Sequence, residues 1–376
     1  MEAREQSESE IRELRLRDKV HFLSRRNVYP ESAATITTRE THMSWVFLVG
    51  DKAYKLKKPV RFPYLDFSSV AKREAACRAE LRLNRRLAQD VYLDVLPLVW
   101  SPKGLAIGGP GKAVDWLVMM RRLDERNMLD NSIVEGGVKT WELDRLAAVL
   151  AQFYRRAQPT FISSAVRLAE WYRGLDYNRR VLLDSRLAMP AGLIQWIDQM
   201  QRRFLDRRSD LLADRIRRRK IIDGHGDLRP EHIWLGDPVR IIDCIEFNPR
   251  LRAVDPFDEI AFLDLECERL GAGWIGEYIT RRIRQELKDS PGDELMTFYR
   301  CHRATLRARL AIAHLLEPEP RSPEKWPRVA RQYLRLAASD AIKLVGLLRR
   351  PGGRRDRGSR AAGVSSRRAV GRQGRL

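Results

Sequence analysis

Residues 221–248 constrain this chain more than any other stretch. They read Ile-Ile-Asp-Gly-His-Gly-Asp-Leu-Arg-Pro-Glu-His-Ile-Trp-Leu-Gly-Asp-Pro-Val-Arg-Ile-Ile-Asp-Cys-Ile-Glu-Phe-Asn. An apolar pair leads into His225-Gly226-Asp227, a polar loop follows, and a second apolar pair delivers Asp243. Asp227 and Asp243 stand sixteen positions apart on what reads as the two arms of a strand–loop–strand. One carboxylate to orient an attacking hydroxyl and another to hold a metal on phosphates is the layout of a phosphoryl-transfer site. The competing reading is an ordinary hairpin with turn aspartates at Asp223, Asp227 and Asp237. His-Gly-Asp, its basic Pro-Glu continuation and the apolar approach to Asp243 together argue against that.

The chain around this stretch divides into two halves of different pattern. Ser44–Val49 is rich in β-branched and aromatic residues, Gly50-Asp51-Lys52 punctuates, and Ala53–Lys57 resumes with alternation, which predicts a β-hairpin. Ser68–Leu87 carries Val70, Ala75, Ala79, Leu83 and Leu87 at helical spacings, with Ser68 or Ser69 as its cap. Leu96–Trp100 and Leu105–Ile107 form a second hairpin, and Ala113–Leu123 is an apolar strand. After Asp124 the periodicity turns helical, over 141–157, 167–183, 192–217, 260–270, 274–287, 293–315 and 325–348. The expected class is α+β, with a small β-rich lobe, a large mainly helical lobe and a site in the cleft between them. The expected divisions are an N-terminal extension at 1–30, an N-lobe at 31–123, a helical C-lobe at 124–349 and a basic tail at 350–376. The tail has almost no large apolar residues to bury and is expected to be disordered.

Charge and cysteine content narrow the function classes. Of the net charge of +21, ten arginines and one aspartate from Arg349 onward supply +9. Such a field favours nucleotides, nucleic acid or acidic surfaces as partners, unless it reflects an Arg-rich background. The four cysteines are scattered without a C-x-x-C pair, which excludes a disulfide framework and a zinc ribbon and fits a reducing compartment. The N-terminus is charged throughout, and no apolar run approaches the ~18 residues of a membrane span. The expected location is cytoplasmic, with no membrane contact.

Two residues of the first lobe complete a phosphate site on paper. Lys55 lies on the second strand of the first hairpin in Ala53-Tyr54-Lys55, the small–x–Lys ending of a strand whose lysine meets α/β-phosphates. Lys57 shares its face, so the register stays open between them. Glu80, on the lobe's long helix, would hold that lysine extended, with Glu74 as competitor. Both also fit solvated faces. In the central loop Asp227 reads as the base, His225 as a structural pin, and Asp243 as a Mg²⁺ ligand. Glu246 and Asn248 offer further metal oxygens.

These motifs resemble the aminoglycoside phosphotransferase and choline kinase-like group of kinase-fold enzymes, and more closely the bacterial aminoglycoside phosphotransferase family proteins of unassigned substrate. The resemblance rests on the central loop, Thr41-His42-Met43-Ser44-Trp45-Val46-Phe47-Leu48, Tyr54-Lys55-Leu56-Lys57-Lys58-Pro59-Val60, Ile245-Glu246-Phe247-Asn248 and Tyr299-Arg300-Cys301-His302-Arg303-Ala304. It covers roughly residues 20–315. It implies a two-lobed protein kinase-like fold, ATP and Mg²⁺ as cofactors, and transfer to a hydroxyl of a small-molecule acceptor. It also implies that Lys55 binds phosphates, Glu80 supports it, Asp227 is the base and Asp243 binds the metal. Met120 to Leu123 would be the hinge that meets adenine. Some relatives carry a further P-loop kinase domain, and no G-x-x-x-x-G-K-[ST] occurs here.

Three positions depart from the pattern. His232 stands five residues after Asp227, where the kinase loop has a metal-binding Asn. Neutral imidazole suits borderline metals better than Mg²⁺, so His232 either hydrogen-bonds or alters a second metal position, with Glu246 compensating. Residues 35–44 lack glycines that would let amides approach phosphates, leaving Thr41, His42 and Ser44 as side-chain donors. Glu259 stands where aminoglycoside phosphotransferases tend to have Asp. The alternatives are a kinase-fold protein that binds nucleotide without transfer, and a nucleic-acid-associated protein using the Arg-rich tail. No aromatics interleave that tail, which argues against sequence-specific reading. Asp-Phe-Gly and Ala-Pro-Glu are absent, which points to a small-molecule rather than a protein acceptor. Asp255, Asp258, Glu259, Asp264, Glu266 and Glu268 form an acidic run expected to cap a helix and face solvent, or else to draw a cationic acceptor into the cleft. His225, His232 and Cys244 match no familiar zinc spacing.

Overall fold

The structure, a computed structural model, describes residues 14–30 and 35–349. The expected disorder of 350–376 and the start of the extension lie outside the described residues. The N-lobe is built on a six-stranded antiparallel sheet in the order β1-β2-β3-β8-β6-β7. Its strands are β1 (Ile36–Glu40), β2 (Ser44–Val49), β3 (Lys52–Lys57), β6 (Tyr92–Ser101), β7 (Gly104–Ile107) and β8 (Lys112–Arg121). Two short strands, β4 (Arg61–Phe62) and β5 (Leu65–Asp66), form a small hairpin of their own. Both expected hairpins are present. β1 was not anticipated, because an edge strand reading Ile-Thr-Thr-Arg-Glu is mostly exposed and shows no alternation.

Period-2 alternation sorts the sheet into two faces. Phe47, Tyr54, Leu56, Leu98 and Leu117 pack on one face with Leu23 and Tyr29. Part of the expected extension, Leu16–Leu23 and the turn after it, is therefore a layer of this lobe. The other face carries Val95 and Val118, packed with Cys77 and Tyr92 beneath the helix Val70–Asn84. That helix is capped by Ser69, whose side chain accepts from the Lys72 amide. Its buried stripe is unusually polar, with Arg73 and Glu80 among Ala76, Cys77 and Leu83. Each charge has a partner: Arg73 forks onto Asp115 of β8 at 2.7 and 2.9 Å, and Lys19 reaches the same carboxylate at 2.7 Å.

The C-lobe is a helical assembly around one large apolar core. Its main helices are Thr140–Arg156, Ser164–Leu182, Ala191–Arg217, Pro256–Arg269, Gly273–Leu287, Asp293–Ala313 and Lys325–Arg349. The central stretch differs from the expected strand–loop–strand. Its arms do not pair with each other. Instead β9 (Ile222–Asp223) pairs with β12 (Ala253–Val254), and β10 (Ile233–Trp234) pairs with β11 (Arg240–Ile241). Both pairings are two residues long, and their hydrophobic anchors Ile222, Ile233 and Ile241 point into the C-lobe core.

Among the described residues no helix is long and apolar enough to cross a membrane. All four cysteines are free thiols and buried.

Candidate active site

The strand period explains the N-lobe half of the site. Lys55 and Lys57 are two apart on β3, so both face the Val70–Asn84 helix while Tyr54 and Leu56 face the opposite core. Glu80 receives both. Its Oε1 accepts from Lys55 Nζ at 2.8 Å and its Oε2 from Lys57 Nζ at 2.5 Å. Glu74 is turned to the surface, bonded to Arg78. Lys55 also donates to Asp243 Oδ1 at 2.7 Å, bridging the lobes. Burial opposes charge on Glu80, but the two ammoniums outweigh it and hold the carboxyl below its ordinary range. Burial likewise opposes charge on Lys55, yet Asp243 and Glu80 raise it well above the ordinary lysine value.

Asp243 is presented by its backbone. Its φ is +62°, a left-handed conformation rare for a non-glycine residue. Its amide donates to the Tyr92 hydroxyl at 3.1 Å, and the next amide, of Cys244, donates to Asn84 Oδ1 at 2.8 Å. Two N-lobe side chains thus fix the turn that aims the carboxylate, and its side chain stays 47% exposed. Burial would raise its pKa, but Lys55 and His232 hold it far below the usual carboxylate range.

The loop carrying Asp227 is held from below. Glu259, at the start of the Pro256–Arg269 helix, accepts the His225 amide at 2.7 Å and the Gly226 amide at 2.5 Å through one oxygen, Oε1. The His225 ring lies 2.9 Å from the Ile242 carbonyl, so it ties the loop to the segment that delivers Asp243. Arg86, just past the N-lobe helix, donates to the carbonyls of Asp223 and Gly224, both at 2.9 Å. Asp227 itself is bonded to Arg229 Nε at 3.2 Å. Burial would raise its pKa, but Arg229, His232 and Arg307 lower it, so Asp227 is an ionised acceptor at neutral pH.

His232 joins the two carboxylate arms. Its Nδ1 lies 2.8 Å from the Asp227 carbonyl, and its Nε2 is 3.2 Å from Arg229 and 3.6 Å from Asp243 Oδ2. Nδ1 must carry the proton to bond a carbonyl, which leaves the Nε2 lone pair facing Arg229. Glu246, expected as a further metal oxygen, instead accepts from Lys57 at 2.5 Å. Ser44 is buried at the start of β2 opposite Lys57, and its carbonyl accepts from the Thr41 hydroxyl at 3.0 Å. Met120 and Leu123 pack with Ile242 and Tyr92 where the lobes join.

The acidic run caps a helix as expected, Asp255 accepting the Phe257 amide at 3.0 Å, but most of it faces neither solvent nor the cleft. Asp255 binds Arg215 at 2.6 Å, Asp258 binds Arg303 at 2.8 Å, and Glu266 binds Arg269 at 2.6 Å. Asp264 and Glu268 both clasp Arg300, and Glu259 holds the loop. Arg229, Tyr92 and Glu259 are the site residues that sequence reasoning did not assign. For Glu259 the one available signal was an acid beginning an apolar helix.

Gly226 has φ of +88°, and a Cβ there would meet Ile245 Cδ1 at 3.0 Å and the Leu251 carbonyl at 3.1 Å. Gly226→Ala is expected to cost on the order of 1–3 kcal/mol, read by chemical denaturation. Burial raises Glu259 to about 7. With a folded pKa above the unfolded one, the folded state binds more protons, so stability falls as pH rises from the ordinary carboxylate range to about 7. Glu259→Gln keeps an acceptor oxygen for the loop amides. It is expected to fold normally and to flatten that slope in denaturation curves recorded between those pH values.

The comparisons agree with this arrangement at the level of fold. No protein-family model matches the chain. It is 33% identical over 321 residues to uncharacterized proteins of Mycobacterium tuberculosis and Mycobacterium bovis, covering 83% of this chain and 62% of theirs. The chain thus spans less than two thirds of the length of these curated relatives. Among solved structures, a choline/ethanolamine kinase family protein from Mesorhizobium loti aligns with a TM-score of 0.51 at 14% identity, over 89% of this chain and 95% of that one. A thermostable mutant of an aminoglycoside phosphotransferase, in its apo form, aligns with a TM-score of 0.50 at 11% identity, over 85% and 96%. The chain has the two-lobed kinase-like fold of the choline kinase and aminoglycoside phosphotransferase group.

Proposed function

We propose that this kinase-fold chain is an ATP- and Mg²⁺-dependent phosphotransferase that moves the γ-phosphoryl group to a hydroxyl of a small molecule. The observation that carries the reading is Lys55, bonded at once to Glu80 at 2.8 Å and to Asp243 at 2.7 Å across the lobe boundary. A lysine fixed by a buried carboxylate, beside a half-exposed aspartate, is the pairing phosphoryl transfer needs on its phosphates and metal.

The donor set fits a hard divalent ion at Asp243, whose carboxylate is half exposed and fully ionised. It does not extend the metal site to Glu246, which Lys57 holds, and it gives His232 a hydrogen-bonding role between Asp227 and Arg229. Mg²⁺ bound there with the nucleotide would neutralise phosphate charge. Asp227 would accept the hydroxyl hydrogen and aim the oxygen, which asks for an ionised carboxylate at hydrogen-bond reach. Arg229, 3.2 Å from Asp227, would stabilise charge on the group being transferred.

The test is label transfer from γ-labelled ATP across a library of hydroxyl-bearing acceptors. The expected result is label in an organic phosphate, absent with Asp227→Ala. Label found only as inorganic phosphate, or transfer unchanged by Asp227→Ala, would overturn the proposal.

A further inference from the structure

Among the described residues, and outside the site just described, one cluster has the makings of a metal centre. His42, His314 and Glu317 bring one donor atom each to within 4.8 Å of one another. Glu317 Oε1 lies 3.2 Å from His42 Nδ1 and 2.6 Å from His314 Nδ1. The three span both lobes. His42 sits in the turn between β1 and β2, and His314 and Glu317 follow the Asp293–Ala313 helix on one short helical turn. We propose that these residues form a transition-metal site, best suited to Zn²⁺, that joins the β1–β2 turn to the C-lobe.

The geometry lies close to that of a metal site. Tetrahedral zinc with bonds near 2.0–2.1 Å spaces its ligand atoms roughly 3.3 Å apart. The His42–Glu317 pair has that spacing at 3.2 Å, the His314–Glu317 pair would open from 2.6 Å, and the two histidine donors already lie within 4.8 Å of each other. Both rings are held in place: His314 stacks on Trp326 at 4.0 Å, and His42 on Phe62 at 4.9 Å. The two rings meet edge to face at 5.2 Å, and the Nδ1 of each lies against the same Glu317 oxygen.

Chemistry and charge agree. Two imidazoles and one carboxylate are a borderline donor set that leaves a fourth position for water or ligand. Lys58 and Arg321 stand close by, but both are bonded to Glu40, which leaves Glu317 to the histidines. Arg321 also donates to the Thr41 carbonyl at 3.1 Å, so the turn is already seated on the C-lobe segment. The site therefore needs no lobe movement to assemble.

The test uses the full chain, stripped with chelator and titrated with Zn²⁺ in excess Mg²⁺ by calorimetry, and with Co²⁺ by visible absorption. The expected result is one equivalent bound, with affinity falling at least tenfold in His42→Ala, His314→Ala and Glu317→Gln. Asp243→Asn should leave the affinity unchanged. Zn²⁺ should raise the melting temperature of the unaltered chain and not of His42→Ala, which controls for a variant that folds poorly. Absence of stoichiometric binding, binding that survives Glu317→Gln, or binding lost in Asp243→Asn would each overturn the site.

Discussion

Replacing Asp227 with asparagine is expected to lower kcat by about 10²–10⁴-fold while nucleotide affinity changes little, the range a positioned general base contributes. Asparagine preserves the shape and can still bond Arg229, but it cannot accept the hydroxyl proton. The loop should not collapse, because its backbone is held by Glu259 and the His225 ring rather than by the Asp227 carboxylate. The pH profile separates this role from a structural one. Burial pushes the Asp227 pKa up, but Arg229, His232 and Arg307 bring it below the ordinary aspartate value of 3.8. Activity should therefore hold on the acid side until the carboxylate range is reached. A variant with full kcat would remove Asp227 from the chemistry.

Replacing Glu80 is expected to give a large loss of stability. Its side chain is fully buried and is the carboxylate shared by Lys55 and Lys57. Glu80→Gln leaves Lys57, itself 1% exposed, with Glu246 alone, and Lys55 with Asp243 alone. Breaking a buried pair by removing one partner costs about 3–5 kcal/mol. The second substitution Lys57→Met should recover part of that loss, since it removes the stranded charge. Two pH limits follow. The Glu80 carboxyl is depressed by its ammoniums, so its contribution is present above the ordinary glutamate range and fades as pH falls through and below it. Lys55 and Lys57 are raised, so theirs is present below 10.5 and fades as pH climbs beyond it. Urea denaturation of the single and double variants across pH measures all three terms. Equal stability of Glu80→Gln and the unaltered chain would contradict the buried-triad account.

How much of this was legible follows the range of each signal. The β2–β3 and β6–β7 hairpins and the long helices were readable, because alternation and helical spacing are local. The choice between Lys55 and Lys57 was not, because period 2 puts both on one face, and the fold uses both. Glu80 was named with Glu74 as its competitor, and the packing of the buried stripe Arg73, Ala76, Cys77, Glu80 is what separates the two. The acidic run was legible in part: Asp255 caps the Pro256–Arg269 helix as expected, but the partners Arg215, Arg300 and Arg303 lie about 30 to 45 residues away in sequence, beyond any local pattern. The central stretch looked like one hairpin for a similar reason: β9 finds its partner in β12, thirty residues on. Glu259 read as a departure from a family pattern, and in the fold its side chain reaches two amides of the Asp227 loop.

The most direct test of the account is the affinity of ATP, measured with and without Mg²⁺, for the unaltered chain, Lys55→Met and Asp243→Asn. Lys55→Met leaves Glu80 bonded to Lys57, so that variant should fold and isolate the loss of the bridge. The account predicts Mg²⁺-dependent ATP binding to the unaltered chain, weakened at least tenfold in either variant. Absence of ATP binding to the unaltered chain, or affinity that neither substitution changes, would contradict it.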